Sequence, residues 1–123
     1  MIRIEIKGLP VSTNNLYVGV GRSRKLSPEA REWKRNIVAY VKCLRLEKID
    51  GPVSVVLFFT SPHWFTKARK VRKVDLANFE KIFVDSIFEA LGMRDENIFT
   101  MCLQKVEATQ ERSVIEIRSM PTF

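Results

Sequence analysis

The sequence predicts an α+β fold, an α/β-type layering in which a mixed β-sheet of about four strands is packed by two helices. Three observations carry it. Ile2, Ile4 and Ile6 alternate with Arg3, Glu5 and Lys7, the period of a half-buried strand. Two segments, opening at Ser27 and at Asp75, repeat apolar residues at helical spacing. Between them "PVSVVLFFT" is apolar on both faces and rich in β-branched and aromatic residues, as a central strand requires.

The elements follow in order. After the first strand, "LPVSTNNLYVGVGRSRKLS" is rich in Pro, Ser, Thr, Asn and Gly and reads as a long loop with a short strand near Tyr17. Long loops in small domains are more often functional than idle. "SPEAREWKRNIVAYVKCLRL" is the first helix, with Ser27 as N-cap and Pro28 at the first helical position. Trp33, Ile37, Tyr40, Val41 and Leu44 form its apolar stripe, and the helix is expected to stop near Ile49, before "DGP". The central strand leads into the polar, basic loop "SPHWFTKARKVRKV", then into the second helix "DLANFEKIFVDSIFEALG", ended by Gly92. "ENIFTMCLQKVEA" and "SVIEIRSM" are the last two strands. The short turn "TQER" joins them, and they are expected to run antiparallel.

Nothing in the chain repeats or resembles a linker, so residues 1–123 read as a single domain. The balance of 21 basic against 14 acidic residues gives a net charge of +7, which favours polyanionic partners, nucleic acid before anionic membrane. Cys43 and Cys102 belong to no CxxC pattern, which argues against zinc and for two free thiols in a reducing cytoplasm. No apolar run is long enough to span a bilayer. The lone His63 stands in motif spacing with nothing and reads as a loop residue.

Projected at about 100° per residue, the second helix is apolar round most of its circumference. Glu80 is the one charge in that wide arc, and Ser86 its one small polar residue. Asn78, Lys81, Asp85 and Glu89 share one narrow sector, with Asp75 near its upper edge. Such a stripe is either the helix's solvent seam or the wall of a site. Lys81 and Asp85 are an (i, i+4) pair of the kind that decorates surfaces, and Asp75 could be an ordinary N-cap. Two neighbours favour a site. Lys67, Arg69, Lys70, Arg72 and Lys73 put five cations in seven residues just before the helix, a charge density suited to phosphate. After Gly92, Asp95 and Glu96 are adjacent. If the following strand lies beside the helix start, Asp75 and Asp95 or Glu96 converge, and clustered carboxylates suit a hard cation such as Mg²⁺. A metal ion among cations is equipment for phosphodiester hydrolysis, with a lysine stabilising the transition-state charge.

This constellation resembles the RusA family of Holliday junction resolvases (crossover junction endodeoxyribonucleases), and the likeness runs in order over nearly the whole chain. "LPVSTNNLY" looks like the family's Asn-Asn loop, "LSPEAREWKRNI" like its first helix, "VDLANFEKIFVDSIFEALG" like its central motif, and "RDENI" like the acidic turn that carries the third family carboxylate. The resemblance implies a homodimeric, Mg²⁺-dependent endonuclease acting on four-way junction DNA, with Mn²⁺ able to substitute, in a bacterial or prophage-encoded cytoplasmic setting. Asp75 looks like the first metal carboxylate, and Glu96 or its neighbour Asp95 like the downstream one. Lys81 matches the essential lysine, Asn78 supports the metal site, and Asp85 is a further acid behind it. Asn14 and Asn15 would line the same area or contact DNA. A two-fold dimer would offer two equivalent sites to a two-fold target. Arg22, Arg24, Lys25 and the 67–73 loop would contact phosphates rather than read bases.

Ala77 is the departure: the family's second aspartate belongs there, and an alanine has no oxygen to give. Three readings stand. The chain is a variant engineered to trap an inactive form, which the otherwise complete motif favours; or a homologue that lost cleavage but kept junction binding; or an enzyme whose remaining carboxylates suffice. Two other classes compete. A non-catalytic nucleic-acid binder would use the basic loop with Trp64 and Phe65 as stacking platforms, although these two could equally cap the core. A module for acidic proteins or membrane surfaces lacks the basic amphipathic helix it would need.

Overall fold

The computed structural model describes residues 1–12, 17–19, 21 and 25–121. Four strands form one mixed sheet in the order β1-β6-β4-β5, from β1 (Ile2–Lys7), β4 (Val53–Ser61), β5 (Ile98–Glu107) and β6 (Arg112–Ser119). A two-residue ribbon pairs β2 (Tyr17–Val18) with β3 (Lys25–Leu26), bearing out the short strand expected near Tyr17. Two helices, α1 (Pro28–Cys43) and α2 (Ala77–Leu91), complete the α+β fold.

The core lies between the helices and one face of the sheet. Along β4 the residues alternate fully buried and half-buried, with Val53, Val55, Leu57 and Phe59 all at 0% exposure. Their register neighbours Ile115 and Ile117 on β6, and Ile2, Ile4 and Ile6 beyond them on β1, extend the same apolar face. Against it pack Ile37 and Val41 of α1, with Phe79, Phe83, Ile87, Phe88 and Leu91 of α2. Phe59 meets Phe79 and Phe83 at 5.6 and 5.8 Å between ring centroids, and Trp33 of α1 meets Phe83 edge-on at 6.5 Å. Phe83 is therefore where both helices and the sheet meet.

Two expectations need correction. The last two strands do run in opposite directions, but they do not pair. β4 lies between them, parallel to β5 and antiparallel to β6. The 108–111 turn crosses the end of β4, where the Ala108 N–H donates to the Ser61 carbonyl (3.1 Å) and the Thr60 hydroxyl to the Gln110 carbonyl (2.8 Å). A strand apolar on both faces is most stable with a neighbour on each side, and "TQER" has none of the Asn-Gly or Asp-Gly chemistry of a tight hairpin.

The other correction is that α1 ends at Cys43 rather than near Ile49. Arg45 takes a left-handed φ of 51°. Leu44, next in the apolar stripe after Val41, is exposed, so the stripe has run past the core that supported it. The helix starts are as expected at Ser27, whose Oγ accepts from the Ala30 N–H (3.1 Å). At the end of α2, Gly92 adopts φ 68°, a conformation glycine reaches without steric cost.

Candidate functional site

The start of α2 is built by Asp75. Its Oδ1 accepts the Ala77 N–H at 3.0 Å, and its carbonyl accepts the Asn78 N–H at 3.0 Å. The N-cap position falls on Leu76 rather than on the expected Asp75, whose carboxylate instead closes a turn onto Ala77, one residue ahead of the cap. Asp75, Ala77 and Lys81 are exposed and Asn78 half-buried, so the polar stripe read from the sequence is the open face of this helix. Lys81 lies 3.4 Å from Asp85, and Glu89 lies 3.6 Å from Lys34 of α1.

Glu80 is the residue whose significance the helical projection left undeveloped. It is half-buried, and burial first, then the Asp85 charge, raises its pKa against the opposing pull of Lys81. A raised pKa in the folded state means the folded chain holds that proton more tightly than the unfolded chain. The stabilisation from that proton is complete below the unfolded-state value and lost as pH rises through the folded-state value. Glu80→Gln is therefore expected to raise the melting temperature at pH 7 by about 1–3 °C. The gain should vanish in acid, below the ordinary glutamate pKa of about 4.3; thermal melts across pH check it.

Asp95 and Glu96 sit on a single 3₁₀ turn (Asp95–Asn97) just after α2. They line an open cleft of about 440 Å³ with Lys34, Asp85, Phe88 and Glu89. Glu96 pairs with Arg94 at 3.2 Å. The strand after this turn begins at the C-terminal end of α2, because Ile98 registers with Val53 at the start of β4. Asp75 lies at the other end. Fifteen helical residues separate the two ends, roughly 22 Å at 1.5 Å per residue. The convergence of Asp75 with Asp95 or Glu96 thus does not occur within one chain. Among the described residues no group of three His, Cys, Asp or Glu side chains could hold a metal ion. Among the described residues the donor set of a single chain does not fit Mg²⁺: Ala77, two residues from Asp75, has no side-chain oxygen, and Asp95 and Glu96 are a helix length away.

The basic segment is an ordered hairpin. Phe65 bridges Val71, the Thr66 N–H donates to the Lys70 carbonyl (2.8 Å), and the Arg72 N–H to the Trp64 carbonyl (2.9 Å). Trp64 is 4% exposed and belongs to the core, its indole N–H donating to the Val106 carbonyl at 3.0 Å. It caps the core and is no open stacking platform, which weakens the single-strand-binder reading. Lys67, Lys70, Arg72 and Lys73 are exposed. Arg69 is exposed as well but forms a two-pronged ion pair with Glu107, at 2.7 and 3.2 Å, whose hydrogen bonds hold the Glu107 carboxyl below its usual range. Lys25 is exposed on β3, while Asn14, Asn15, Arg22 and Arg24 lie outside the described residues.

The sequence profile of the family described as endodeoxyribonuclease RusA matches residues 8–118 of the 123. The chain belongs to that family. No curated protein matches it. The match spans three of the four sheet strands, β4, β5 and nearly all of β6, with both helices, the cationic hairpin and the acidic turn, and makes endonuclease action on Holliday-junction DNA the family activity. No helix of the described residues is long and apolar enough to cross a membrane.

Proposed function

We propose that this chain is a four-way-junction endodeoxyribonuclease whose cleavage is impaired by Ala77 and whose junction binding is intact. The observation that carries the reading is the run Asp75, Asn78 and Lys81 at the open start of α2, directly after a hairpin with five exposed cations, of which Arg69 is paired with Glu107. Asp75 and Lys81 would act at the scissile phosphate. Lys81 would stabilise developing charge, and Asp85, 3.4 Å away, would hold its ammonium in place. Lys67, Lys70, Arg72 and Lys73, with Lys25, would grip phosphates of the duplex arms.

We assign Mg²⁺, or Mn²⁺ in its place, as the ion of the reaction, with its oxygen donors drawn from two protomers. A two-fold dimer would close the helix-length gap between Asp75 and the acidic turn if Asp75 of one protomer met Glu96 or Asp95 of its partner. Bound there, the ion would polarise the phosphate. A homodimer brings 2 × (+7) = +14 of net charge to the junction. The same dimer presents two sites to opposed strands.

The test compares a synthetic four-way junction with a linear duplex of the same arm sequence, in Mg²⁺ and in EDTA. The expected result is at least about tenfold tighter binding of the junction, with little cleavage. Equal affinity for the two DNAs would reduce the protein to a general nucleic-acid binder. Sedimentation of the free protein as a monomer at micromolar concentration would count against the shared site.

A further inference from the structure

Arg69 sits in the middle of the cationic hairpin, yet its side chain is turned back onto the protein. Both its terminal nitrogens donate to the two carboxylate oxygens of Glu107 on β5, at 2.7 and 3.2 Å. Its guanidinium carbon lies 4.3 Å from the centroid of the Phe65 ring. Its backbone holds φ 60°, a left-handed conformation that non-glycine residues seldom adopt, and its N–H donates to the Thr66 carbonyl at 2.9 Å. The adjacent β5 residue, Val106, takes the Trp64 indole N–H. Two neighbouring residues of β5 therefore fasten the hairpin, one at its base and one near its turn. A bidentate guanidinium–carboxylate pair is the strong form of this contact, and the fork geometry fixes direction as well as distance.

We propose that Arg69 is a positioning residue and not a phosphate contact. It ties the hairpin to Glu107 so that Lys67, Lys70, Arg72 and Lys73 present a preset row of cations to the phosphodiester backbone. The guanidinium edge that faces Glu107 could take a phosphate only by displacing that carboxylate, exchanging one anion for another and leaving a bare carboxylate beside DNA; a phosphate on the remaining N–H groups of this 65% exposed side chain would meet a charge already neutralised by Glu107. The four remaining cations carry no such cost. The inference rests on the DNA-binding part of the function proposed above and deepens it.

Two variants that keep the net charge at +7 test it. Arg69→Gln with Glu107→Gln removes the tie; Arg69→Glu with Glu107→Arg reverses it. Affinity is measured against salt concentration on both the junction and the linear duplex, with Lys70→Gln as the reference. Loss of one phosphate contact lowers the salt slope by about 0.9. The expected result is a reduced slope for Lys70→Gln, and an unchanged slope with about threefold weaker binding for the double glutamine variant. The reversed pair should bind within about twofold of the unmodified chain, because the tie is rebuilt. A slope that falls for the double glutamine variant as it does for Lys70→Gln, or a reversed pair that binds no better than the double glutamine variant, would overturn the proposal. Loss of junction preference alone would strike the junction reading and leave the slope comparison on linear duplex intact. Failure to bind either DNA would overturn both.

Discussion

Ala77→Asp is expected to convert this chain into a junction nuclease, raising paired nicking in Mg²⁺ by about a hundredfold or more and leaving EDTA controls uncut. The substitution costs the fold little. Ala77 is exposed at the first position of α2, so a larger side chain meets solvent rather than core. A carboxylate in the first helical turn also lies at the favourable end of the helix dipole. It would stand two residues from Asp75, and two such charges repel unless a cation lies between them. Mg²⁺ should therefore raise the melting temperature of the aspartate variant more than that of the unmodified chain, a binding readout independent of cleavage. An aspartate variant that folds, binds the junction and still neither cuts nor responds to Mg²⁺ would show that the missing oxygen is not what limits this chain.

Phe83→Ala should be the most damaging single change to the fold, costing about 3–5 kcal/mol. Phe83 is fully buried and touches Trp33 of α1 and Phe59 of β4, so its removal opens a void at the junction of both helices with the sheet. Against a typical total stability of about 5–15 kcal/mol, that is about a fifth or more of what holds a domain of this size together. The melting temperature should fall by about 10–20 °C, measured by circular dichroism. Tyr40→Ala, at 48% exposure on α1, serves as the control and should cost about 1 kcal/mol or less. If Phe83→Ala cost no more than Tyr40→Ala, the packing described for the core would be wrong. The site would suffer with the fold, because the buried face of α2 is what fixes Asp75, Asn78 and Lys81 on the opposite face.

How much of this was legible in the sequence depends on the range of the force concerned. Alternation in "IRIEIK", the two apolar stripes and the doubly apolar "VSVVLFFT" are local patterns, and each became the element it predicted. The order of Asp75, Asn78 and Lys81, the cationic run and the acidic turn were equally readable, and all of them lie within the family match over residues 8–118. The departure at Ala77 was visible only through the resemblance to the family, whose second aspartate belongs at that position.

Only the tertiary structure decided how those pieces meet. It set β4 between β5 and β6, because giving the most apolar strand a hydrogen-bonded neighbour on each edge outweighs pairing two strands that a short turn happens to connect. It ended α1 at Cys43, where the core beneath the stripe ran out. It put Trp64 in the core and turned Arg69 onto Glu107, so that two residues read as nucleic-acid contacts became internal fastenings. And it separated Asp75 from Asp95 and Glu96 by the length of α2, since a straight helix fixes the distance between its ends whatever chemistry stands there. Sequence order records which residues a site has; the rigid helix between them decides that one chain does not bring them together.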